Sequence, residues 1–519
     1  RAGEKVANAW EYSGDNRFYL DDAGNMATDS LIEDNDDYYY VDANGAMVRN
    51  RWVAIDNESA GEDNQPDVWW YYFQANGKAY KNTHASGTIF KKVINGKTYA
   101  FDEDGKMQYG WVKKDDGVTD YDDNAYQEAE YYFGDENDGA MSIGWREIAL
   151  TDVADAEDEQ PGDSYWDSDQ VRWFYFKSSG VKQTSSTNKT INGRKYGFDE
   201  WGRMIADWHA ATANNADNEL SRRGSMNNAT VAATKSYARE FMYFSSPEDG
   251  ARFTKGWFKV VPGYYLNYKD YDDGTDRWYY ANGDGKIAAG EIKAIKGKKY
   301  AFDLKGGMIS GLALLRTNGK EISEYADSDG KYDSQESFET TARSMGSDWG
   351  FYYFSDNEDK DGSMKTGNQR ISLDGENFTF SFRKGGTRKG QGITGVNEKK
   401  YYLGGMLMTA SVDNKIELLN KNTLERVTVD KFVRDNGLVG KDVTSGKVGQ
   451  ANKDDVVYTD GTTGTSGTAT GLDITSLTSD YVVINVSGNV VKSGSKVDGD
   501  GYKVVLDGSN RIKQIIATK

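Results

Sequence analysis

A nine-residue unit recurs along this chain at near-constant spacing, and such a repeat restricts the fold more than any other feature of the sequence. Ile94-Asn95-Gly96-Lys97-Thr98-Tyr99-Ala100-Phe101-Asp102 is followed by Gly105 and Met107. It returns as Ile191-Asn192-Gly193-Arg194-Lys195-Tyr196-Gly197-Phe198-Asp199, with Gly202 and Met204. It returns again as Ile295-Lys296-Gly297-Lys298-Lys299-Tyr300-Ala301-Phe302-Asp303, with Gly306 and Met308. A degraded copy reads Leu373-Asp374-Gly375-Glu376-Asn377-Phe378-Thr379-Phe380. Tyr99 and Tyr196 stand 97 residues apart, Tyr196 and Tyr300 104. Two aromatic series interleave: Trp70 to Phe73, Trp173 to Phe176 and Trp278 to Tyr280, then Tyr131 to Phe133, Met242 to Phe244 and Tyr352 to Phe354. The array is thus built in supermodules of about three units, near one hundred residues each. Length alone would allow three or four domains in 519 residues, but periodicity favours one array.

The physics of one unit is legible. Tyr99 and Phe101 alternate, which puts both on one face of a strand. Asn95-Gly96 is a tight-turn signal, and Asp102-Glu103-Asp104-Gly105 a second turn with glycine at the left-handed position. The segment between them is a strand in a β-hairpin. One hairpin is marginal in water, so successive hairpins must stack to bury their aromatic faces. The expected fold is mainly β, a solenoid of stacked aromatic β-hairpin repeats with long acidic loop insertions. Composition agrees: aromatics reach 13% with 58 glycines and only 4 prolines, which suits short strands between tight turns and argues against disorder.

These residues resemble the cell-wall-binding, or choline-binding, repeats of Gram-positive surface proteins. They resemble equally the glucan-binding repeats of glucansucrases and the receptor-binding repeats of large clostridial toxins. The pattern of Gly-Trp, an aromatic triplet and Gly-x-Met stands here as Gly110-Trp111, Tyr131-Tyr132-Phe133, Gly139-Ala140-Met141 and Gly144-Trp145, and again as Gly256-Trp257 with Trp278-Tyr279-Tyr280. The resemblance covers about residues 10–410 and implies ligand cages between adjacent hairpins. By carry-over the ligand-binding candidates are Trp111 with Tyr131, Trp145 with Trp173, and Trp257 with Trp278. An aromatic cage holds a quaternary ammonium by cation–π attraction, and an aromatic platform with polar neighbours holds a sugar. The same rings also serve as core, and the methionines after the turns are expected to act as packing. This sequence departs from the family in the gap between Gly-Trp and triplet, which is 20 residues from Trp111 to Tyr131 and 28 from Trp145 to Trp173. The acidic insertions at 112–130, 146–172 and 313–350 are expected to be exposed on the outside of the array.

Beyond the array, residues 411–470 lose the triplets and turn rich in Gly, Thr and Asp, which reads partly as a spacer. Residues 471–519 read as a C-terminal hairpin cap. Asp327, Asp329 and Asp333 are spaced like the start of a calcium loop, but position twelve is Phe338 instead of glutamate. Solvated acidic loop is the competing reading, so no cofactor is expected, with calcium at this loop as the alternative.

Several classes are excluded or disfavoured. A net charge of −19 disfavours nucleic acid. The absence of cysteine removes disulfides and thiolate chemistry. No apolar run is long enough for a membrane helix. His84 and His209 are isolated, which argues against a histidine triad or a three-histidine zinc site. The chain starts at Arg1 without methionine, which we read as a processed start, consistent with export. The expected function is a non-catalytic, secreted or cell-surface protein that binds cell-wall polymer or another glycan. The alternatives are a structural protein of a surface fibre or layer, and a receptor-binding region of a toxin, phage or adhesin.

Overall fold

The computed structural model describes residues 3, 5–83, 87–150, 171–210, 235–263, 266–326, 328, 330–356, 361–442, 444–445, 447–458 and 474–519. The fold is mainly β and antiparallel. The chain divides into two compact units, one of residues 1–228, 240–275 and 281–286, the other of residues 229–239, 276–280 and 287–519.

In the first unit, hairpins follow one another in chain order. Ala9–Ser13 pairs with Asn16–Leu20, Ser30–Asp34 with Asp37–Val41, Arg51–Asp56 with Val68–Phe73 and Phe90–Ile94 with Lys97–Phe101. Gly110–Val112 pairs with Tyr131–Asp135, Gly144–Ala149 with Val171–Phe176, Ser186–Ile191 with Arg194–Phe198 and Asp207–Ala210 with Phe241–Phe244.

The turn after each hairpin joins it to its neighbours. The aspartate that opens the turn caps it from within. The Asp102 Oδ1 accepts amides from Asp104 at 3.0 Å and Lys106 at 2.8 Å. Asp42, Asp199 and Asp303 do the same two and four residues ahead. The residue that ends the turn then bridges back to its own hairpin, as Met107 does to Phe101 and Met204 to Phe198. Its amide donates to the preceding hairpin: Met107 to the Trp70 carbonyl, Met204 to Trp173 and Ala79 to Tyr38, each at 2.8 Å. In the second unit Met308 bonds Trp278 in the same way and Met364 bonds Lys299.

The side chain of that residue explains the glycine. It lies against the turn of the following hairpin, where no Cβ fits. A Cβ on Gly45 would sit 2.8 Å from the Met26 Sδ, one on Gly77 2.6 Å from the Met47 Sδ, and one on Gly139 2.9 Å from the Met107 Cε. Gly45 and Gly77 also hold φ of 77° and 85°, a region other residues enter only with strain. The Gly-x-Met pattern therefore records contacts in two directions: methionine forward onto the next glycine, its amide backward onto the previous strand.

Strand alternation distributes the aromatic triplet between two neighbours. In Val68–Phe73, Tyr71 and Phe73 are buried at 4% and 0% exposure against Val48, Leu31, Tyr38 and Tyr40 of the preceding hairpin. Trp70 and Tyr72 point the other way and meet Tyr99, Phe101 and Met107 of the following one. Each hairpin is thus covered on both faces, which is why these strands are aromatic throughout instead of alternating with polar residues.

The second unit departs from sequence expectation. The stretch 313–350 is not an exposed insertion. Gly311–Asn318 and Glu321–Ala326 form strands in a five-stranded sheet with Glu291–Ile295, Lys298–Phe302 and Trp349–Phe354. Helix Gln335–Ser344 follows, capped by Ser334, and buries Phe338 between Phe351 and Phe380. Apolar Leu314, Leu315, Ile322 and Phe338, all at most 5% exposed, override the acidic average. The first insertion is also partly internal, since Tyr126 in helix Ala125–Glu128 is 1% exposed. Of 146–172, only the strand ends belong to the described residues. The described residues of 416–458 are likewise folded, with strand Ile416–Asn420 pairing Tyr481–Asn485 and helix Val429–Asp435 burying Phe432. They share a core with Val504, Leu506, Ile512 and Ile515. The Gly/Thr run at 459–473 lies outside the described residues. Leu419 and Ile484 also join the cluster of Phe338, Phe380 and Met406, so residue 410 falls within one packed unit.

The turn geometry is testable. Gly202 has φ of 94°, and a Cβ there would lie 2.7 Å from the Lys182 Cδ and 3.0 Å from the Gln183 carbonyl oxygen. Gly96 has φ of 81° but open space around it. Gly96→Ala should cost about 1–2 kcal/mol through backbone strain, and Gly202→Ala about 2–4 kcal/mol once overpacking is added. Hydrogen exchange of strands 171–176 and 194–198 should accelerate about tenfold or more beyond the parent in Gly202→Ala. Equal effects of the two changes on their own hairpins would refute the steric account.

Candidate aromatic ligand site

A recurring three-ring group forms where one hairpin meets the next. The first-strand tryptophan lies opposite the second residue of the aromatic triplet: Trp52 pairs in register with Tyr72, Trp111 with Tyr132 and Trp145 with Tyr175. The third ring comes from the following hairpin. Trp52 lies 5.3 Å from Tyr72 and 4.8 Å from Tyr99 between ring centroids. Trp145 lies 5.3 Å from Tyr175 and 4.9 Å from Tyr196, with Trp173 at 6.3 Å. Trp111 lies 5.0 Å from Tyr132 and 5.1 Å from Phe174. Trp10 joins Tyr19 and Tyr39 at 5.1 and 5.2 Å. These contacts are edge-to-face, the favoured arrangement of ring quadrupoles. The tryptophans stay half-buried. The rings therefore pack as core while each indole keeps part of its surface toward solvent.

The repeating Asn-Gly-Lys hairpin gives its tyrosine to the junction before it and no tryptophan to the junction after it. In Phe90–Ile94 the position equivalent to Trp52 is Lys91, opposite Ala100. Lys91 instead lies over Tyr131, 4.4 Å from the ring centroid. This places Tyr131. It is 4% exposed and packs with Ala100, Val112 and Phe133, away from Trp111. The structure thus sets Tyr132, not Tyr131, beside Trp111, because neighbours on a strand face opposite sides. Trp145 and Trp173 are brought together. Trp257 and Trp278 lie half-buried in strands Gly256–Val260 and Arg277–Ala281. Trp52, Tyr72, Tyr99, Tyr175 and Tyr196 belong to these ring groups and were not among the sequence candidates. The signal that finds them is register: the tryptophan opposite the middle of the triplet, plus the tyrosine of the next unit.

Asp327 and Asp329 lie outside the described residues, and Asp333 accepts a hydrogen bond from the Ser337 hydroxyl at the start of helix Gln335–Ser344. Among the described residues there is no cluster of three or more His, Asp and Glu placed to hold a metal. No helix among them is long and apolar enough to cross a membrane. His84 is likewise outside the described residues. His209 packs edge-on to Phe244, and burial lowers its pKa to about 4, so its ring is neutral.

Residues 4–46 match the choline-binding repeat family model. The chain is 28% identical over 219 residues to Glucosyltransferase-S of Streptococcus mutans, covering 39% of this chain and 12% of that protein. It is 25% identical over 331 residues to Glucosyltransferase-I of Streptococcus downei, covering 58% of this chain and 18% of that protein. The chain thus spans less than a fifth of the length of these relatives. Among solved structures, choline binding protein F from Streptococcus pneumoniae, studied in the presence of a peptidoglycan analogue, matches with TM-score 0.37 and 18% identity over 74% of this chain and 98% of that one. The resemblance to choline- and glucan-binding repeats read from the triplets and Gly-x-Met turns is borne out.

The ring contacts should carry more stability than the ion pairs that also link hairpins. Trp145→Ala deletes a ring that touches Trp173, Tyr175, Tyr196 and Phe198. It should cost about 3–5 kcal/mol, seen as faster hydrogen exchange in strands 186–191 and 194–198. Lys97 pairs with Asp138 across neighbouring hairpins at 2.9 Å, with both side chains more than half exposed. Lys97→Ala should leave exchange in strands 97–101 and 131–135 within error of the parent. A larger effect from the lysine change would invert this ranking.

Proposed function

We propose that this chain is a non-catalytic binding module that holds a bacterial surface protein to cell-wall polymer or another glycan. The observation that supports it most is the recurrence of one half-buried tryptophan with two ordered rings at successive hairpin junctions. The site residues in this reading are Trp52, Tyr72 and Tyr99 at one junction, and Trp145, Trp173, Tyr175 and Tyr196 at another. Trp257 and Trp278 are the further candidates along the array. An indole face held by neighbouring rings attracts a quaternary ammonium electrostatically, and it equally offers a flat apolar platform to a sugar ring. One such contact is weak, near millimolar or about 4 kcal/mol. Several at fixed spacing along stacked hairpins gain avidity against a polymer whose groups repeat at a matching interval.

The acidic balance fits this reading, since it favours a cationic or neutral ligand over a polyanion. The family match at residues 4–46 and the likeness to glucosyltransferases of streptococci point to the same two ligand chemistries, choline-bearing polymer and α-glucan. The catalytic function named for those relatives is not carried over, because the matched part is a small share of their length.

Retention of the full chain on choline resin, purified peptidoglycan and insoluble α-glucan, with and without EDTA, tests the proposal. The parent should be retained on at least one. The folded double variant Trp52→Ala/Trp145→Ala should lose most of that retention, more than either single variant. The EDTA arm reports whether a divalent cation takes part. Retention of the parent on none of the three, or full retention of the folded double variant, would overturn the assignment.

A further inference from the structure

One aromatic group carries its own cation. The hairpins Gly110–Val112 with Tyr131–Asp135 and Gly144–Ala149 with Val171–Phe176 meet at Trp111. In the turn that follows the second hairpin, the position held elsewhere by Met107, Met204 or Met308 is held by Lys182. Its backbone keeps the repeat's role, bridging to Phe176 and donating to the Glu130 carbonyl at 2.8 Å. Its side chain is 5% exposed. The ammonium lies over the Trp111 ring, 5.4 Å from the centroid, and donates to the Tyr126 carbonyl. Tyr126 belongs to the short helix that the long insertion adds at this junction. Among the described residues no carboxylate is within ion-pair distance of Lys182, so carbonyl and ring face replace its hydration. Burial lowers its pKa to about 8 against the opposing pull of Asp199 and Glu130, so it stays largely protonated at neutral pH.

The Trp145 group is built from the same positions, but its post-turn residue is Met204. Among the described residues no cationic group lies over the Trp145 or Trp173 ring.

We infer that Lys182 is a tethered occupant of the Trp111 group, so that this junction is closed to external ammonium ligands while the Trp145 junction is open to them. The openness of Trp145 rests on the binding reading above; the occupancy of Trp111 does not. At Trp10 a cation comes from within the hairpin instead: the guanidinium of Arg17, in strand Asn16–Leu20, lies 4.9 Å from the ring centroid, while the post-turn position there is Met47. Ligand sites in the array are then fewer than its tryptophan groups, and a single residue type after a turn decides which are in use.

Two measurements on the full chain test this. The first needs no ligand: acetylation with a soluble active ester, read by mass spectrometry. Lys182 should react at least tenfold more slowly than exposed Lys296 under native conditions, and at the same rate once unfolded. The second uses tetramethylammonium chloride and fluorotryptophan NMR, with Trp111 and Trp145 assigned by single replacement. The parent should show shifts at Trp145 and none at Trp111. Lys182→Met, which places the repeat's own residue there and so preserves the fold, should add a Trp111 response of similar size. Acetylation of Lys182 as fast as Lys296, a Trp111 response in the parent equal to that of Trp145, or a silent Trp111 in Lys182→Met beside a responsive Trp145 would each overturn the inference. If neither tryptophan responds in either chain, the ammonium-binding reading fails. Acetylation then decides occupancy alone: a protected Lys182 upholds it, and an unprotected one ends it.

Discussion

The array depends on a missing atom. Many turns carry a glycine whose absent Cβ leaves room for the post-turn side chain of the hairpin before it, as Gly45 does for Met26 and Gly77 for Met47. That contact sets how closely successive hairpins approach. At the same spacing, the post-turn amide reaches back to a carbonyl of the previous hairpin. A bulkier turn residue would push the hairpins apart, stretch that hydrogen bond and open the aromatic faces to water together. Methionine suits the position because its unbranched thioether can lie flat along a backbone of varying shape. Lys182 meets Gly202 with its Cγ and Cδ methylenes, and Arg252 meets Gly285 with its Cδ and Nε, which is how long polar side chains enter the stack without breaking it.

Spacing being fixed, strand parity decides what each aromatic does. Tyr71 and Phe73 look back, Trp70 and Tyr72 look forward, and the next unit answers with Tyr99 and Phe101. The three-unit period then has a physical reading. The Asn-Gly-Lys hairpin completes the ring group before it. It carries Ala100, Gly197 or Ala301 where another hairpin carries the middle tyrosine of its triplet. Gly197 leaves room for Phe244 of the next hairpin, where a Cβ would lie 2.8 Å from that ring. A junction of that kind has no ring group, so groups recur with gaps instead of at every step.

Much of this was legible in sequence. The hairpins, the turn glycines and the post-turn methionines follow from period two, left-handed turn positions and recurrence. Membership of the aromatic groups was less so. Trp111 and Tyr131 stand in the sequence as Gly-Trp and the first residue of a triplet, but only the register Trp111 opposite Tyr132 reveals that Tyr131 faces the other neighbour. Average charge misled at 313–350, where Leu314, Leu315, Ile322 and Phe338 are few but spaced to face one core. The packing of the described part of 416–458 was hidden from local pattern, because Leu418, Val429, Phe432 and Val457 pack with apolar residues tens of positions later.

The rings proposed as the ligand surface are the rings that hold the hairpins together, and in that reading binding is coupled to folding. The inner part of Trp145 lies against Tyr196 and Phe198 of the next hairpin, while its partly exposed outer surface is the face that the proposed reading gives to a ligand. Loss of the indole therefore removes a platform and opens a core cavity in one step. A change that fills the platform without touching the core is a cleaner device for silencing a site. A long cationic side chain from the adjacent turn does this: its methylenes keep the contact with the turn glycine, and its charge takes up the ring face. The array can retain an aromatic group for stability after giving up its use as a site, because the post-turn position is set by the same hydrogen bond whether methionine or lysine occupies it.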